Sequence, residues 1–236
     1  RIVDLGINTQ GTEEVYKMGT DTEAVLAERA LHPEQVPGLE TGWTQFDRYT
    51  SGFQAGDLTI VVAPSKTGKS VILTNWAKKI CITDRVPGLY IDTEMQSREQ
   101  EDRLLANMTG IPHNEITSGM YVMDTVNGTA EEKVAKLKQA REDLGLGEYY
   151  HIYMPQFTIE KVTALARKFQ MQFGIKILFF DYIKIPSNQA DFRSAQEYQK
   201  LGFFTSGLKD LAGMLGIPVV SACQTNRTNG DNEDPS

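Results

Sequence analysis

The amino-acid sequence predicts an α/β fold, in which a mainly parallel, twisted sheet is flanked by helices on both faces. Short apolar segments alternate with amphipathic helical segments along most of the chain. The segment 177–180 is entirely apolar, which is typical of a strand buried on both faces of a parallel sheet. Because parallel neighbours are joined by crossover connections, this alternation indicates right-handed βαβ units.

The spacing of apolar residues then places each element along the chain. Predicted strands cover residues 58–62, 89–91, 151–154, 177–180 and 219–222. Predicted helices cover residues 69–80, 97–108, 130–144 and 196–215, and Thr158 is the predicted N-cap of one more helix. The charged helix over 130–144 is expected to stop at Gly145, because glycine commonly ends helices.

A short N-terminal extension over residues 1–37 is predicted to precede the main domain, which covers 38–236. The extension contains one helical stretch, 22–31, with apolar residues at helical spacing: Ala24, Val25, Ala27 and Leu31. This piece is too short to form a core, so we expect a linker or docking arm, or else a solvated extension. The chain begins with Arg1 and not Met, so we expect that the full protein starts earlier.

Composition excludes some classes of protein without choosing a function. Hydrophobic residues make up 40% of the 236 residues and charged residues 23%, as in ordinary globular domains. We expect no membrane span and no secretory signal, because no apolar run is long enough for either. Two cysteines, Cys81 and Cys223, fit a reducing compartment, and the three scattered histidines predict no zinc site. The net charge of −7 argues against a DNA-coating protein, but not against DNA contacts on a few loops inside a ring.

A phosphate-binding loop is predicted between the first strand and the first long helix. Its residues are Ala63, Pro64, Ser65, Lys66, Thr67, Gly68, Lys69 and Ser70. They meet the pattern G-x-x-x-x-G-K-[ST] except at Ala63, and a chance Ser/Gly-rich turn before a lysine is the alternative. Backbone N–H groups in such a loop can surround phosphates, while Lys69 reaches the β- and γ-phosphates and Ser70 ligates Mg²⁺. ATP with Mg²⁺ is therefore the expected cofactor.

Two carboxylates are the predicted partners of this loop in hydrolysis. Asp181 follows the apolar strand in the arrangement called Walker B, and it is expected to hold the metal ion through water. Tyr182 comes next where some motors have their catalytic glutamate, so the base must lie elsewhere. Glu94 follows the second strand, which we expect beside the phosphate-loop strand, and it is the candidate base. Asp92 is expected to point to the other face of that strand.

Gln224, which follows the last predicted strand, is the candidate sensor of the γ-phosphate. Ligands in open α/β sheets bind at the carboxyl ends of the strands, where a polar residue in this position lies. We expect Gln224 to pass information about the nucleotide to the loop that follows. A surface glutamine without such a role is the alternative interpretation.

With these motifs in place, the chain resembles replicative DNA helicases of the DnaB type. The segments that carry the resemblance are 38–47, 50–53, the phosphate loop, 92–95, 181–183 and 224–227, in the family's order. The resemblance covers about residues 38–227. It implies a RecA-like P-loop fold, with Glu94 as the catalytic residue, Asp181 in Walker B and Gln224 in the motif that couples nucleotide to DNA.

The resemblance also implies a function and partners. It implies a hexameric ring that hydrolyses ATP to move along single-stranded DNA and separate the strands, with primase and a helicase loader as further partners. It places the chain in the cytoplasm of a bacterial cell or an infected host. Two loops would face the central channel, near 187–195 and after Arg227, and the cations available for DNA are Arg193, Lys200 and Arg227.

The sequence departs from the family at two places. Lys184 stands where the family usually has glutamine after Walker B. The chain also ends at Ser236, within the expected second DNA loop and before the family's arginine finger, so we expect the domain to be incomplete at its C-terminus.

Two other functions stay open from the sequence. One is a recombinase or another RadA- or KaiC-like ATPase of the same fold, in recombination or another process. The other is a nucleotide-binding assembly or loader factor that does not hydrolyse ATP. The joint presence of Lys69, Ser70, Glu94 and Asp181 argues against the second.

Overall fold

The computed structural model describes residues 17–31, 33, 36–184 and 197–225. The contacts divide the chain into two units, residues 1–35 and residues 36–236. The first unit contains helix α1, Thr22–Leu31, which confirms the predicted helix, and all of its residues are exposed. Within the described ranges, no helix is long and apolar enough to span a membrane.

The second unit is built on a five-stranded parallel sheet. Its strands are β1 (Leu58–Ala63), β2 (Gly88–Asp92), β3 (Tyr149–Tyr153), β4 (Ile177–Ile183) and β5 (Val219–Gln224). All five predicted strands are confirmed, with ends that differ by up to three residues. The strands lie in the order β1-β5-β4-β2-β3, and each neighbouring pair is parallel.

This strand order corrects one prediction. Strand β2 was expected beside β1, but β4 and β5 lie between them. Most residues of β4 and β5 are buried, and the most apolar strands gain most from the centre of a sheet that is covered on both faces. Strand β1 is only partly buried and lies at an edge among the described strands.

Helices flank this sheet, as predicted, and two of them were not predicted. Their bounds are α2 (Thr44–Thr50), α3 (Lys69–Ala77), α4 (Ser97–Thr109), α5 (His113–Ser118), α6 (Ala130–Leu146), α7 (Ile159–Phe173) and α8 (Glu197–Leu215). The unpredicted helices are α2 and α5, each of which is shorter than two full turns. Thr158 caps α7 as expected, because its hydroxyl accepts the N–H of Lys161.

Two helix ends differ from the prediction. The helix that begins at Lys69 is an α-helix only to Ala77 and continues as a π-helix over Lys78–Thr83. Helix α6 passes through Gly145, and the N–H of Gly147 closes it by donating to the carbonyls of the last turn. The prediction of a stop at Gly145 was therefore wrong, since glycine ends a helix only where the backbone turns away.

The two faces of the sheet carry separate cores. Leu89, Ile91 and Phe180 pack on one face against α7 and α8. Tyr90 and Phe179 pack on the other face with residues of α3, the helix that follows the phosphate loop. Alternation of side chains along each strand sends neighbours to opposite faces, so the second core fixes α3 against the sheet.

Candidate nucleotide site

The predicted site residues gather at the carboxyl edge of the sheet. Ala63 at the end of β1 lies in register with Gln224 at the end of β5, and Asp92 of β2 lies in register with Asp181 of β4. Because all the strands are parallel, their carboxyl ends meet at one edge. The carboxyl ends of four strands and the start of α3 therefore lie at the same edge of the sheet.

The loop between β1 and α3 has the backbone that close approach to a phosphate requires. Gly68, the N-cap of α3, has φ +94°, and Lys66 has φ +63°. A Cβ placed on Gly68 would meet no atom within 4 Å, so the glycine is needed for its backbone angle and not for space. The hydroxyl of Thr67 donates to the carbonyl of Pro64 at 2.7 Å and closes the turn.

Lys69 is folded onto this loop. Its side-chain Nζ donates to the carbonyls of Ala63 at 3.1 Å and Pro64 at 2.7 Å, and the residue is 8% exposed. Those carbonyls hold a positive charge beside the first turn of α3, whose free N–H groups and dipole also attract anions. The loop therefore combines an ammonium group with a helix N-terminus, an arrangement that can bind phosphate.

A pocket of about 180 Å³ lies next to the loop and brings together three of the predicted site residues, Ser70, Glu94 and Asp181. Its remaining lining residues are Asp92, Met95, Glu99, Arg103 and Tyr182. The predicted hydroxyl ligand, metal-binding carboxylate and candidate base thus share one small cavity, although they are far apart in sequence.

Asp181 is buried in this pocket and only half satisfied. It is 2% exposed, Tyr90 donates its hydroxyl to Oδ2 at 2.8 Å, and Oδ1 has no hydrogen-bond partner among the described residues. Burial raises the pKa of Asp181 to about 6; the nearby hydroxyls of Ser70 and Tyr90 act against the rise, while Asp92 and Glu94 add to it. The site therefore has too little positive charge to balance its carboxylates.

The donor set at this position fits Mg²⁺. Magnesium prefers oxygen ligands and keeps several waters, so one hydroxyl and one carboxylate next to bound phosphates are sufficient. Ser70 and Asp181 supply these oxygens, and the unpartnered Oδ1 of Asp181 is a buried acceptor that a hydrated cation would satisfy.

Glu94 is exposed at the mouth of the pocket, one residue beyond buried Thr93. Tyr182 lies beside it; burial, followed by the hydrogen bond of its hydroxyl to the Glu94 carboxylate, raises the pKa of Tyr182 to about 12. An exposed carboxylate at the edge of a cavity that contains Ser70 and Asp181 can reach a water molecule near a bound phosphate.

Asp92 and Arg103 extend the site beyond the sequence prediction. Asp92 lines the same pocket as Glu94, so the expectation that it points to the other face was wrong. Residues two apart on a strand point to the same face, so alternation itself places Asp92 on the side of Glu94. The register of Asp92 with Asp181 puts those two carboxylates on one face as well. Arg103 on α4 reaches the pocket and pairs with Glu99, four residues earlier; this spacing was a signal in the sequence.

The other predicted residues are placed as follows. Gln224 is exposed at the end of β5, next to the strand that leads into the phosphate loop. Lys200 lies on α8 and is half-buried. Arg193 and Arg227, the other two candidates for DNA contact, lie outside the described residues.

Comparison with solved structures supports the fold. The ATPase domain of another protein aligns with a TM-score of 0.76 at 18% identity, over 89% of this chain and 73% of that one. A DnaB-like replicative helicase, described with its interactions with primase, aligns with a TM-score of 0.75 at 17% identity, over 92% of this chain and 50% of that one. The predicted RecA-like α/β fold is thereby confirmed.

Comparison of sequences identifies the family. The replicative DNA helicase DnaB of Leifsonia xyli is 28% identical over 96% of this chain, and that of Treponema pallidum is 26% identical over 88%. The chain spans about half the length of these two relatives, 50% and 45%. The model of the DnaB-like helicase C-terminal domain family matches residues 38–236. The chain therefore belongs to the DnaB-like helicase C-terminal domain family.

Proposed function

We propose that this chain is the motor of a replicative DNA helicase, which hydrolyses ATP to move along single-stranded DNA and separate the strands of a duplex. The observation that carries the proposal is the convergence of Ser70, Asp181 and Glu94 on one pocket beside the phosphate loop. Membership of the DnaB-like family supports DNA as the substrate of the motor.

In this proposal, the residues of the loop bind the nucleotide. The N–H groups of the turn around Gly68 and the start of α3 receive the phosphates. Lys69, which donates to two loop carbonyls, is the cation within reach of the β- and γ-phosphates. Ser70 and Asp181 would hold Mg²⁺, which when bound neutralises charge that develops on the phosphate oxygens.

Glu94 is the proposed base. Its carboxylate accepts a proton from, and orients, the water that attacks the γ-phosphate. Gln224, at the end of β5 beside the loop strand, is the proposed link between the nucleotide and the segment that follows. Lys200, Arg193 and Arg227 remain the proposed cations for DNA contact.

The proposed assembly is a hexameric ring in the bacterial or host cytoplasm, with primase and a helicase loader as further partners. A neighbouring subunit would supply an arginine to each nucleotide site, as composite ATPase sites require. In this assembly the first unit, with the exposed helix α1, serves as the linker or docking arm that the sequence predicts.

The deciding experiment measures ATP hydrolysis by the full-length protein, with and without single-stranded DNA. Wild type, Glu94→Gln and the matched control Glu131→Gln are compared; Glu131 is an exposed glutamate in the first turn of α6. We expect hydrolysis that DNA stimulates, that Glu94→Gln abolishes and that the control retains, with nucleotide binding intact in all three. Hydrolysis that is indifferent to DNA would contradict the helicase function and favour another RecA-like ATPase.

A further inference from the structure

The turn that carries Glu94 is held by two charged side chains, one at the end of β2 and one immediately after β4. Asp92 accepts hydrogen bonds from the backbone N–H groups of Glu94 and Met95, through Oδ1, at 2.8 and 2.7 Å. Lys184 donates from Nζ to the carbonyl of Thr93 at 3.0 Å. Every residue from Thr93 to Met95 is thus bonded through its backbone to one of two charged groups.

The Asp92 side of this arrangement is largely buried. Asp92 is 2% exposed and Met95 is 7% exposed, so the bond from Met95 is buried, and the bond from Glu94 is partly buried. Hydrogen bonds to a charged acceptor in such surroundings are stronger than neutral ones. Oδ2 of Asp92 has no hydrogen-bond partner among the described residues and lies 3.9 Å from Nε2 of His151. The carboxylate therefore bonds to the turn through Oδ1 alone.

The Lys184 side joins the turn to the strand that carries Asp181. The N–H of Thr93 donates to the carbonyl of Asp181 at 2.8 Å, and Lys184, three residues beyond Asp181, bonds to the carbonyl of Thr93. The ammonium of Lys184 also lies 5.9 Å from the centre of the Tyr182 ring, a cation–π distance. This face of the turn is consequently fixed to β4 through both backbone groups of Thr93.

We propose that Asp92 and Lys184 are positioning residues, which together set the backbone from which Glu94 reaches the attacking water. Glu94 itself is exposed, and its carboxylate meets the hydroxyl of Tyr182 at the mouth of the pocket. The point from which this carboxylate reaches a water molecule is set by the backbone that carries it. A displacement of about 1 Å of a catalytic group can cost about 100-fold in rate. The inference rests on the proposed function of Glu94 as the base.

The test uses Asp92→Ala, Asp92→Asn, Lys184→Met and Lys184→Arg in the full-length protein. The matched control is Lys176→Met, because Lys176 is an exposed lysine immediately before β4, whereas Lys184 immediately follows it. We expect kcat for ATP to fall by about 10- to 100-fold in Asp92→Ala and Lys184→Met. The KM for ATP should change little, since the phosphate loop is untouched, and the melting temperature should not account for the loss.

The conservative variants separate positioning from general loss of structure. Asp92→Asn keeps one acceptor oxygen and Lys184→Arg keeps a donor, so both variants should retain much of the kcat that Asp92→Ala and Lys184→Met lose. Unchanged kcat in Asp92→Ala and Lys184→Met, beside a loss in Glu94→Gln, would overturn the proposal and leave the proposed function intact. A fall in kcat with no recovery in the conservative variants would also overturn it.

Amide hydrogen exchange tests the same inference without any enzymatic activity. In Asp92→Ala, the amides of Glu94 and Met95 lose their acceptor and should exchange faster, while amides in β2 and β4 keep their protection. Unaltered exchange at these two amides would overturn the proposal even if the wild type failed to hydrolyse ATP. That failure would by itself count only against the proposed function.

Discussion

Asp92 and Asp181 lie directly opposite each other on the neighbouring parallel strands β2 and β4, and each buries one carboxylate oxygen that has no hydrogen-bond partner among the described residues. Carboxylates at paired positions of neighbouring strands repel each other. Neither of these two is paired with a lysine or arginine in the described part of the chain. The fold keeps an unfavourable charge at the site, as proteins do where a cation or a reaction requires it.

We expect Asp181→Asn to stabilise the protein at neutral pH in the absence of divalent cations. The folded state raises the pKa of Asp181 from 3.8 to about 6, so between these values the folded protein binds the proton more tightly than the unfolded chain. Stability therefore falls as the pH rises from about 4 to 6. A shift of this size corresponds to about 3 kcal/mol of folding free energy, which Asp181→Asn should recover above pH 6.

Urea unfolding at pH 4 and at pH 7.5, without Mg²⁺, measures this effect. The free energy of unfolding of Asp181→Asn should exceed that of wild type at pH 7.5 and equal it at pH 4. Asp210→Asn is the control, since Asp210 is exposed and its substitution should have little effect at either pH. A stabilisation of equal size at both pH values would show that the cause is not the ionisation of Asp181. Hydrolysis of ATP should be lost in Asp181→Asn at all pH values.

Gly68→Ala should weaken nucleotide binding more than it lowers stability. Gly68 has φ +94°, where an alanine costs about 1–2 kcal/mol, but a Cβ would meet no atom within 4 Å. The expected loss of folding free energy is therefore about 1–2 kcal/mol, while rearranged N–H groups reduce phosphate affinity. Gly202→Ala, in open space within α8, should stabilise by a few tenths to about 1 kcal/mol.

Thermal unfolding and calorimetric titration with ATP separate the two effects of Gly68→Ala. Equal nucleotide affinity in Gly68→Ala and wild type would contradict the role of this backbone turn in binding. A loss of affinity in Gly202→Ala as well would indicate a change that is not specific to the loop.

The local features of the site could be predicted from the sequence. The apolar strand before Asp181 and the phosphate loop are patterns of adjacent residues, and the structure confirms the strands that lead into them. Each pattern depends on side-chain type and chain stiffness within a few residues, which the sequence displays directly.

The relations between distant segments could not be predicted in this way. Lys184 bonds to Thr93, and Tyr90 to Asp181, across 91 residues in both cases. The position of β2 away from β1 depends on which strands take the centre of the sheet, which no local pattern records. The error about Asp92 has a different and local origin, because residues two apart on a strand share a face, and Asp92 and Glu94 are two residues apart.

Lys133→Met should lower the melting temperature by several degrees. Lys133 is 1% exposed, and its Nζ bonds to Glu115 Oε2 at 2.8 Å and to the Thr125 hydroxyl at 3.1 Å. Removal of one partner leaves a buried charge unpaired, which costs more than the pair contributes. The site lies among α4, α5 and α6, away from the nucleotide pocket, so ATP hydrolysis at low temperature should be retained.

The pH dependence of the Lys133→Met effect has a defined sign. Hydrogen bonds to the Glu115 carboxylate lower its pKa below the ordinary value of 4.5. The bond from Lys133 contributes most, and Asn127 and Thr125 add to it. The stability from this interaction is therefore present above pH 4.5 and is lost as the pH falls. The gap in melting temperature between wild type and variant should narrow below pH 4.5, as differential scanning calorimetry can measure. A gap that widens in acid would contradict this assignment.

Asp47→Ala should destabilise the segment that precedes the phosphate-loop strand. Asp47 is 5% exposed, and its carboxylate accepts three hydrogen bonds. Oδ1 accepts the backbone N–H of Thr41 at 2.9 Å and the Thr41 hydroxyl at 2.7 Å, and Oδ2 accepts the N–H of Gly42 at 3.1 Å. These bonds hold the turn that leads into Trp43, whose ring lies 5.1 Å from that of Trp76 on α3. Loss of three hydrogen bonds to a buried carboxylate should cost about 2–4 kcal/mol.

Tryptophan fluorescence during urea unfolding measures the Asp47→Ala effect, because both tryptophans lie in this cluster. Asp47→Asn keeps one acceptor oxygen, so its free energy of unfolding should lie between those of wild type and Asp47→Ala. Asp84→Ala is the control: Asp84 pairs with Lys79 on the surface, and such pairs contribute about 0–1 kcal/mol. Equal losses in Asp47→Ala and Asp84→Ala would contradict the role of Asp47. A larger loss at Asp47 would support a role for this residue in holding α3, and with it Lys69 and Ser70, in place.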